Sequence, residues 1–313
     1  MWRRCYEFML RHPGAGRRAM WWFLRKSRLL DTFDDEGYFT VKLLGATGER
    51  FAAAEDGGGI NSLILAQELY WKSDLPRVCC DKFAVREFVR SRGLADILVP
   101  LVPGEEKWDR AEDIPWDRLP RQFVLKCNNG SGLLRIVRDK SAEDPADIRR
   151  IAAAWLRTDC GRRQRERQYV GMRNCLFAEQ MLPADNGLVP CDYKFMCSNG
   201  RPLYAWVDVG RFVRHERAIY DLEFRRQDVS IGFPRPAYEL ERPAGWSRMV
   251  EIAAELSRGF PIVRIDLYDV NGRVYFGEMT FTSDRANAIT RPFEFSNRMA
   301  RLADPICRKP FMV

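Results

Sequence analysis

Histidine is nearly missing: His12 and His215 are the only two in 313 residues. Two imidazoles do not make a His-rich metal site, and with no HExxH helix the chain is not built for zinc-assisted hydrolysis. A GxxxxGK[ST] phosphate loop is absent, and so is any Asp-x-Asp pair, the ribbon on which many nucleotide-sugar transferases hold their metal. "GAGRRA" at 14–19 imitates a dinucleotide fingerprint, but it follows Arg11-His12-Pro13 and not a strand, so it is a chance match. The nine cysteines (5, 79, 80, 127, 160, 175, 191, 197 and 307) contain no CxxC and are odd in number, which reads as reduced thiols used for packing and favours the cytoplasm. No apolar run has the length of a bilayer span, and Glu7 and His12 interrupt what a signal peptide would need. The sequence therefore predicts a chain neither secreted nor integral to a membrane.

The net charge lies at one end. Of the net +8, residues 1–30 supply +7, with Arg3, Arg4, Arg11, Arg17, Arg18, Arg25, Lys26 and Arg28 against Glu7 alone. Within this tail "RRAMWWFLRKSRLL" spaces Ala19, Trp22, Phe23, Leu29 and Leu30 helically among cations. That composition suits peripheral contact with the inner face of an anionic membrane. It equally suits an ordinary first helix that packs Trp21, Trp22 and Phe23 on the body. A second basic run, "RRQRER" at 162–167, contains Glu166 and follows a helix. It reads as a solvated helix end, and no nucleic-acid partner is expected.

Along the chain, residues 31–60 read as turns around one short strand, "YFTVKLL". "NSLILAQELYW" is a helix, and after a break at Pro76 "CCDKFAVREFVRSRG" is another, ended by Gly93. "ILVPLVP" is an extended segment, and the Pro-punctuated "DIPWDRLPRQ" marks the main lobe boundary. "QFVLK" and "LLRIVRD" then flank a glycine loop as strands. "PADIRRIAAAWLRT" is a helix and "NCLFAEQML" a strand. Two hairpins follow, turning at Asn199-Gly200 and Asn271-Gly272, with the helix "SRMVEIAAELSRG" between them. Recurrent hairpins favour an α+β fold of antiparallel lobes over a doubly wound parallel sheet.

The last hairpin carries the chemistry. Arg264, Asp266 and Glu278 lie on or beside adjacent strands, and two carboxylates roughly 4 Å apart repel by about 4 kcal/mol at an effective dielectric near 20 unless a cation separates them. Mg²⁺, held by two carboxylates and an incoming triphosphate, would serve. Sharing a face is not automatic: a two-residue Asn271-Gly272 turn sets Asp266 opposite Gly277 and turns Glu278 away. A three-residue loop or a bulge is therefore required, and Gly277 is the natural bulge site. Lys126 and Lys194 point inward from two other strands and call for an anion. The loop Asn128, Asn129, Gly130, Ser131, Gly132 either folds its N–H groups over that anion or is a plain hairpin turn.

Taken in order, "CCDKFAVREFV", "LPRQFVLKCNNGSG", "FAEQML", "CDYKFMCSNGRP", "DVGRFVRHERAIYD" and "VRIDLYDVNGRVYFGEMTF" resemble the ATP-grasp proteins of the TupA-like family, associated with teichuronopeptide and other cell-surface polysaccharide synthesis. The resemblance covers roughly residues 61–282. It implies an α+β ATP-grasp fold with the nucleotide between two lobes, divided as a basic segment with a short strand (1–60), an N-terminal region (61–115), a first lobe (116–182) and a second lobe with the metal site (183–313). It implies ATP and Mg²⁺ as cofactors. Lys126, Lys194 and Lys82 would meet phosphates under the 128–132 lid, and Glu179, Gln180, Met181 and Leu182 would form the adenine hinge, with backbone groups of Gln180 and Leu182 reading the ring. Asp192 would take the ribose hydroxyls, Asp266 and Glu278 the metal, and Arg264 the charge developing during transfer. Arg211, His215 and Arg217 would clamp an acceptor carboxylate or the γ-phosphate. Many relatives have asparagine as a further metal ligand where this chain has Thr280, and the segment after it, including Ser283 and Arg285, differs from the usual pattern and would read a different acceptor.

The expected activity is an ADP-forming carboxylate-amine ligase joining an amine or amino acid to a small-molecule or sugar carboxylate, such as a uronic acid of a capsule, lipopolysaccharide or teichuronic-type polymer. A kinase of a sugar or small molecule, or a glycosyltransferase of the same pathway, are the alternatives.

Overall fold

The computed structural model describes residues 1–104, 106–161, 165–183, 190–210 and 214–304. Helices α1 (Trp2–Arg11), α2 (Ala15–Lys26) and α3 (Asp35–Thr47) form a helical unit around Met9, Leu24, Leu30, Phe33, Val41 and Leu44. Helix α3 contains the segment "YFTVKLL" expected as a strand. A near-continuous apolar run of this length reads as strand or as buried helix. The ends decide it: Asp34 caps the Gly37 N–H at 2.7 Å, and Gly48 closes the helix at φ 84°. Trp21 packs so closely on Gly45 that a Cβ there would lie 2.6 Å from the indole. Trp22 and Phe23 do not pack on the body; they are 63% and 51% exposed.

Helix α4 (Ile60–Tyr70) is buried over almost its whole length, between α3 and the larger sheet. The next helical stretch is two short helices, α5 (Leu75–Cys80) and α6 (Val85–Ser91). Pro76 is not a break but sits in the first turn of α5, where its missing N–H is harmless. The break comes at 81–84, where Asp81 Oδ1 accepts the Phe83 and Ala84 N–H groups at 2.8 and 2.9 Å and leaves Lys82 projecting from the gap.

Strands β1 (Phe123–Cys127), β2 (Leu134–Val137) and β3 (Leu176–Gln180) make an antiparallel sheet in the order β2-β1-β3, covered by α7 (Pro145–Leu156). The extended segment 98–103 runs along β3, with the Val102 N–H bonded to the Ala178 carbonyl. The larger sheet joins β4 (Asp192–Ser198), β5 (Arg201–Val209), β6 (Glu216–Tyr220), β8 (Val263–Val270) and β9 (Arg273–Thr280) in the order β6-β5-β4-β8-β9. A minor sheet pairs β7 (Ser230–Ile231) with β10 (Thr290–Arg291), and α9 (Phe293–Leu302) packs beside α4. Helix α8 (Trp246–Ser257) covers the face of the larger sheet that carries Phe195, Val207, Ile265 and Leu267.

The opposite face is apolar at one end, with Met196, Tyr204, Trp206 and Ile219 against α4. By alternation the same face carries Asp192, Lys194, Asp208, Arg217, Arg264 and Asp266. Six charged side chains thus continue a hydrophobic surface, at the end that faces the smaller sheet.

Candidate functional site

Asn271-Gly272 makes the two-residue turn, pairing Val270 with Arg273, and the register shifts between Asp266 and Leu267, so that Gly277 is the extra residue. The bulge sets Glu278 directly opposite Asp266, while Lys194 pairs with Asp266 from the other side. Glycine is needed at 277 for space: a Cβ would lie 2.9 Å from the Asp266 carbonyl oxygen and 3.2 Å from the Tyr268 ring.

Three connected chambers lie between the two sheets. The first, about 370 Å³, is an apolar slot with Val99, Val124, Leu134, Ile136, Leu182 and Tyr268 on its walls and Glu179 and Lys126 at its inner end. The second, about 390 Å³, shares Lys126, Leu134 and Tyr268 with the first and adds Lys82, Ser131, Gly132, Asp192, His215, Asp266 and Glu278. The third, about 450 Å³, shares Ser131 and Glu278 and reaches Arg264, Thr280, Arg285, Asn287 and Glu166.

The 128–132 segment is both things the sequence allowed: it connects the antiparallel β1 and β2, and its tip lines the middle chamber. Its base is fixed. Asn128 is buried and bonded through its side chain to Asp81 (2.6 Å), the Arg173 carbonyl (3.2 Å) and the Cys175 N–H (2.8 Å). Asn129 is bonded to Asn174 at 2.9 Å. The two asparagines are anchors, not lid donors, and only Ser131 and Gly132 are exposed.

Lys194 is 2% exposed and has no need of an incoming anion. Asp192, Asp208 and Asp266 oxygens stand 2.9, 3.6 and 3.8 Å from its ammonium. Lys126 is likewise paired, with Glu179, which also lies 3.4 Å from Arg86. The counter-charge that both lysines were expected to take from a triphosphate is supplied here by the chain's own carboxylates, since an ammonium left bare in an apolar sheet is too costly. Lys82 Nζ binds the Gly130 carbonyl and lies 3.7 Å from Glu278.

The cation between Asp266 and Glu278 is Arg264. Its guanidinium donates to both Asp266 oxygens, at 2.6 and 2.7 Å, and to Glu278 Oε1 at 2.8 Å. Burial raises the Asp266 pKa, opposed by Arg264 and Lys194. Burial acts on Glu278 in the same sense but is outweighed by Lys82, Arg264 and Lys194, which hold its carboxyl at about 2. Thr280 Oγ1 donates to Glu278 at 3.2 Å, so in this structure it orients that carboxylate at the third chamber. Among the described residues no group of three or more His, Cys, Asp or Glu side chains could hold a metal ion. Two hard carboxylates facing a phosphate-sized chamber fit Mg²⁺ only in company with phosphate oxygens, which is its ordinary way of binding.

Other expected residues fall differently. Gln180 spends its N–H on the Pro100 carbonyl at 2.9 Å, so only its carbonyl could read a ring edge, and Gln180, Met181 and Leu182 all line the apolar slot. Arg217 is 2% exposed and fully engaged, to Asp208 (2.7 and 3.3 Å), Asp284 (2.9 Å) and the Ile231 carbonyl (3.2 Å). It is an internal strut from β6, not an acceptor clamp. Ser283 is buried and accepts from Arg264 at 3.3 Å, whereas Arg285 is exposed at the third chamber. His215 lies 3.2 Å from Asp208 and its ring packs on Phe233. Arg211 lies outside the described residues.

The sequence reading missed Arg86, Asp208, Glu166 and Lys42. Arg86 was visible only as one charge in "KFAVREF", and its partner Glu179 is 93 residues away. Asp208 had a local signal, a carboxylate inside the apolar strand "LYAWVDV", which is costly to bury unpaired.

The family described as TupA-like ATPgrasp matches residues 66–299, a span that takes in both sheets and all three chambers. No curated protein matches the chain. Among solved structures the chain is similar to D-alanine–D-alanine ligase from Bacillus anthracis, with 15% identity and a TM-score of 0.39, covering 75% of this chain and 66% of that one. It is similar to the ATP-grasp ligase PsnB complexed with a phosphomimetic variant of its minimal precursor, Mg and ADP (16% identity, TM-score 0.39, 80% and 65% covered). It is also similar to D-cycloserine synthetase DcsG (16% identity, TM-score 0.38, 72% and 71% covered). The chain spans just under two thirds of the length of the first two.

Proposed function

The chain belongs to the TupA-like ATP-grasp family, and from that premise we propose that it is an ATP-dependent ligase that activates a carboxylate as an acyl phosphate and transfers the acyl group to an amine. The observation that supports this most directly is the continuity of the three chambers: an apolar slot, a middle chamber lined by Lys82, Lys126, Asp266 and Glu278, and a polar chamber reaching Arg264. Adenine fits the slot, with the Leu182 backbone at its edge and Asp192 below for the ribose. Lys126 and Lys82 would turn from Glu179 and Gly130 to the phosphates, and the Ser131 and Gly132 N–H groups would close over them. Magnesium held by Asp266 and Glu278 would neutralise the phosphate charge and polarise the transferred group. Arg264, adjoining the third chamber, would stabilise the oxyanion as the amine attacks. No histidine base is required, since the acyl phosphate carries its own leaving group and positioning supplies much of the acceleration.

For the donor we propose a sugar carboxylate of the uronic-acid class, as used in capsule, lipopolysaccharide or teichuronic-type polymers, a reading that rests on the family alone. Protein supplied with ATP, Mg²⁺, hydroxylamine and glucuronic or galacturonic acid should release ADP and phosphate and accumulate a hydroxamate, the trapped acyl phosphate. AMP release, or a stable phosphosugar as a kinase would leave, would overturn it.

Among the described residues no helix is long and apolar enough to cross a membrane. We propose peripheral contact through α2, whose exposed Trp22 and Phe23 are flanked by exposed Arg18, Arg25 and Lys26. Aromatic insertion beside cations suits anionic lipid. Vesicles with about a third phosphatidylglycerol should retain the full chain at 0.1 M salt, and W22S/F23S should lower retention at least fivefold. Equal binding to pure phosphatidylcholine would contradict the electrostatic part.

A further inference from the structure

The third chamber holds a carboxylate without a task in the scheme above. Glu166 is half-buried ahead of the turn Arg167–Tyr169. Gln168 Nε2 donates to Thr282 Oγ1 at 3.0 Å, and the Thr282 hydroxyl donates to Glu166 Oε1. This relay fixes the carboxylate, and no donor among the described residues bonds its other oxygen. Along the same chamber runs the segment Ser283–Ala286, in which Asp284, Arg285 and Ala286 all have positive φ (47°, 56° and 53°). Three consecutive non-glycine residues in that region are strained and persist only where the surroundings impose them. Here Arg217 holds Asp284, Arg264 reaches Ser283, Lys42 Nζ bonds the Arg285 carbonyl at 3.2 Å, and Ala286 is buried. These clamps hold the strained backbone and leave the Arg285 guanidinium exposed at the chamber.

We propose that Glu166 and Arg285 form the two ends of an amino-acid subsite, Glu166 receiving the acceptor's ammonium group and taking its proton, Arg285 pairing with its carboxylate. The inference rests on the ligase reading and names its acceptor class. An ammonium has no lone pair to attack with. Glu166 removes one proton, the free amine forms the C–N bond, the C–O bond to phosphate breaks, and a second proton leaves the nitrogen with the phosphate. The balance is amide, hydrogen phosphate and one proton released through Glu166 to water. Burial raises the Glu166 pKa against the pull of Thr282, Arg285 and Lys42, which makes it a better base than a solvated carboxylate.

The test uses the full chain with ATP, Mg²⁺ and glucuronic acid as donor probe. Hydroxylamine, neutral near pH 7, reports acyl phosphate formation without needing a base, and its failure with wild type would count against the ligase reading itself. Given a working trap, wild type should couple at least one of the twenty amino acids and should reject the corresponding carboxamide. E166Q should keep hydroxamate formation within about twofold and lose amide formation at least 100-fold. R285Q should raise the amino-acid KM at least tenfold with little change in kcat and should erase discrimination against the carboxamide. The proposal is overturned if no amino acid couples while the trap works, if E166Q loses hydroxamate and amide equally as a merely structural residue would, or if R285Q leaves discrimination unchanged.

Discussion

Lys194→Met should lower the free energy of unfolding by about 3–5 kcal/mol, the range for removing one partner of a buried ionic cluster. Lys194 is 2% exposed and its ammonium lies within 4 Å of Asp192, Asp208 and Asp266. Methionine nearly conserves the volume, so the loss is electrostatic and not a cavity effect. The three carboxylates are unequally protected afterwards: Asp208 keeps Arg217 and Asp266 keeps Arg264. Lys194→Met/Asp208→Asn should therefore recover only part of the loss, with a coupling of about 1–3 kcal/mol. Urea midpoints followed by tryptophan fluorescence measure it, because Trp206 lies opposite Lys194 in the β4–β5 register. A shift worth under about 1 kcal/mol, or strict additivity in the double variant, would show that water reaches the cluster and screens it.

What could be read from the sequence and what could not divide along the reach of each interaction. The Gly277 bulge was legible because strand alternation is local: Asp266 and Glu278 share a face only with one extra residue, and glycine marked where it fits. Both Asn-Gly turns were legible for the same reason. The helix at 35–47 was not, since "YFTVKLL" satisfies strand and buried-helix patterns alike, and the decision lay with the Asp34 cap and with Trp21 seated on Gly45. The lysines were correctly seen to need counter-charge, but its source was beyond reach: Lys126 and Glu179 are 53 residues apart, and Lys194 and Asp266 meet only through strand order. Arg217 and His215, treated as one clamp, both reach Asp208 and Phe233, but Arg217 is also tied to Asp284 and the Ile231 carbonyl, partners that lie 67 and 14 residues away, whereas His215, just before β6, lines the middle chamber. Glu166 was dismissed as part of a basic run, for its relay to Thr282 spans 116 residues.

Arg264→Ala should be the most damaging change to activity and among the most damaging to stability, with opposite responses to Mg-ATP. The guanidinium satisfies Asp266 with two bonds and Glu278 with one. Without it the remaining cations stand 3.8 Å from Asp266 (Lys194) and 3.7 Å from Glu278 (Lys82), too far for good hydrogen bonds. Two carboxylates facing each other across β8 and β9 then cost about 3–5 kcal/mol in the absence of metal. Lysine should not substitute, since it lacks the fork that holds both Asp266 oxygens at once. On the proposed reading, Arg264 and a bound metal would compete for these oxygens in the wild type. In Arg264→Ala, Mg-ATP should therefore raise the thermal midpoint by several degrees more than in the wild type, while turnover falls at least 1000-fold because the oxyanion has lost its donor. Glu278→Gln should behave the other way, destabilised less than Arg264→Ala yet no longer stabilised by Mg-ATP. Calorimetric scans of the three proteins with and without Mg-ATP separate the possibilities. If Mg-ATP stabilises Glu278→Gln as strongly as the wild type, the metal is not held by this pair. If it stabilises Arg264→Ala no more than the wild type, the guanidinium and the ion do not share the same oxygens.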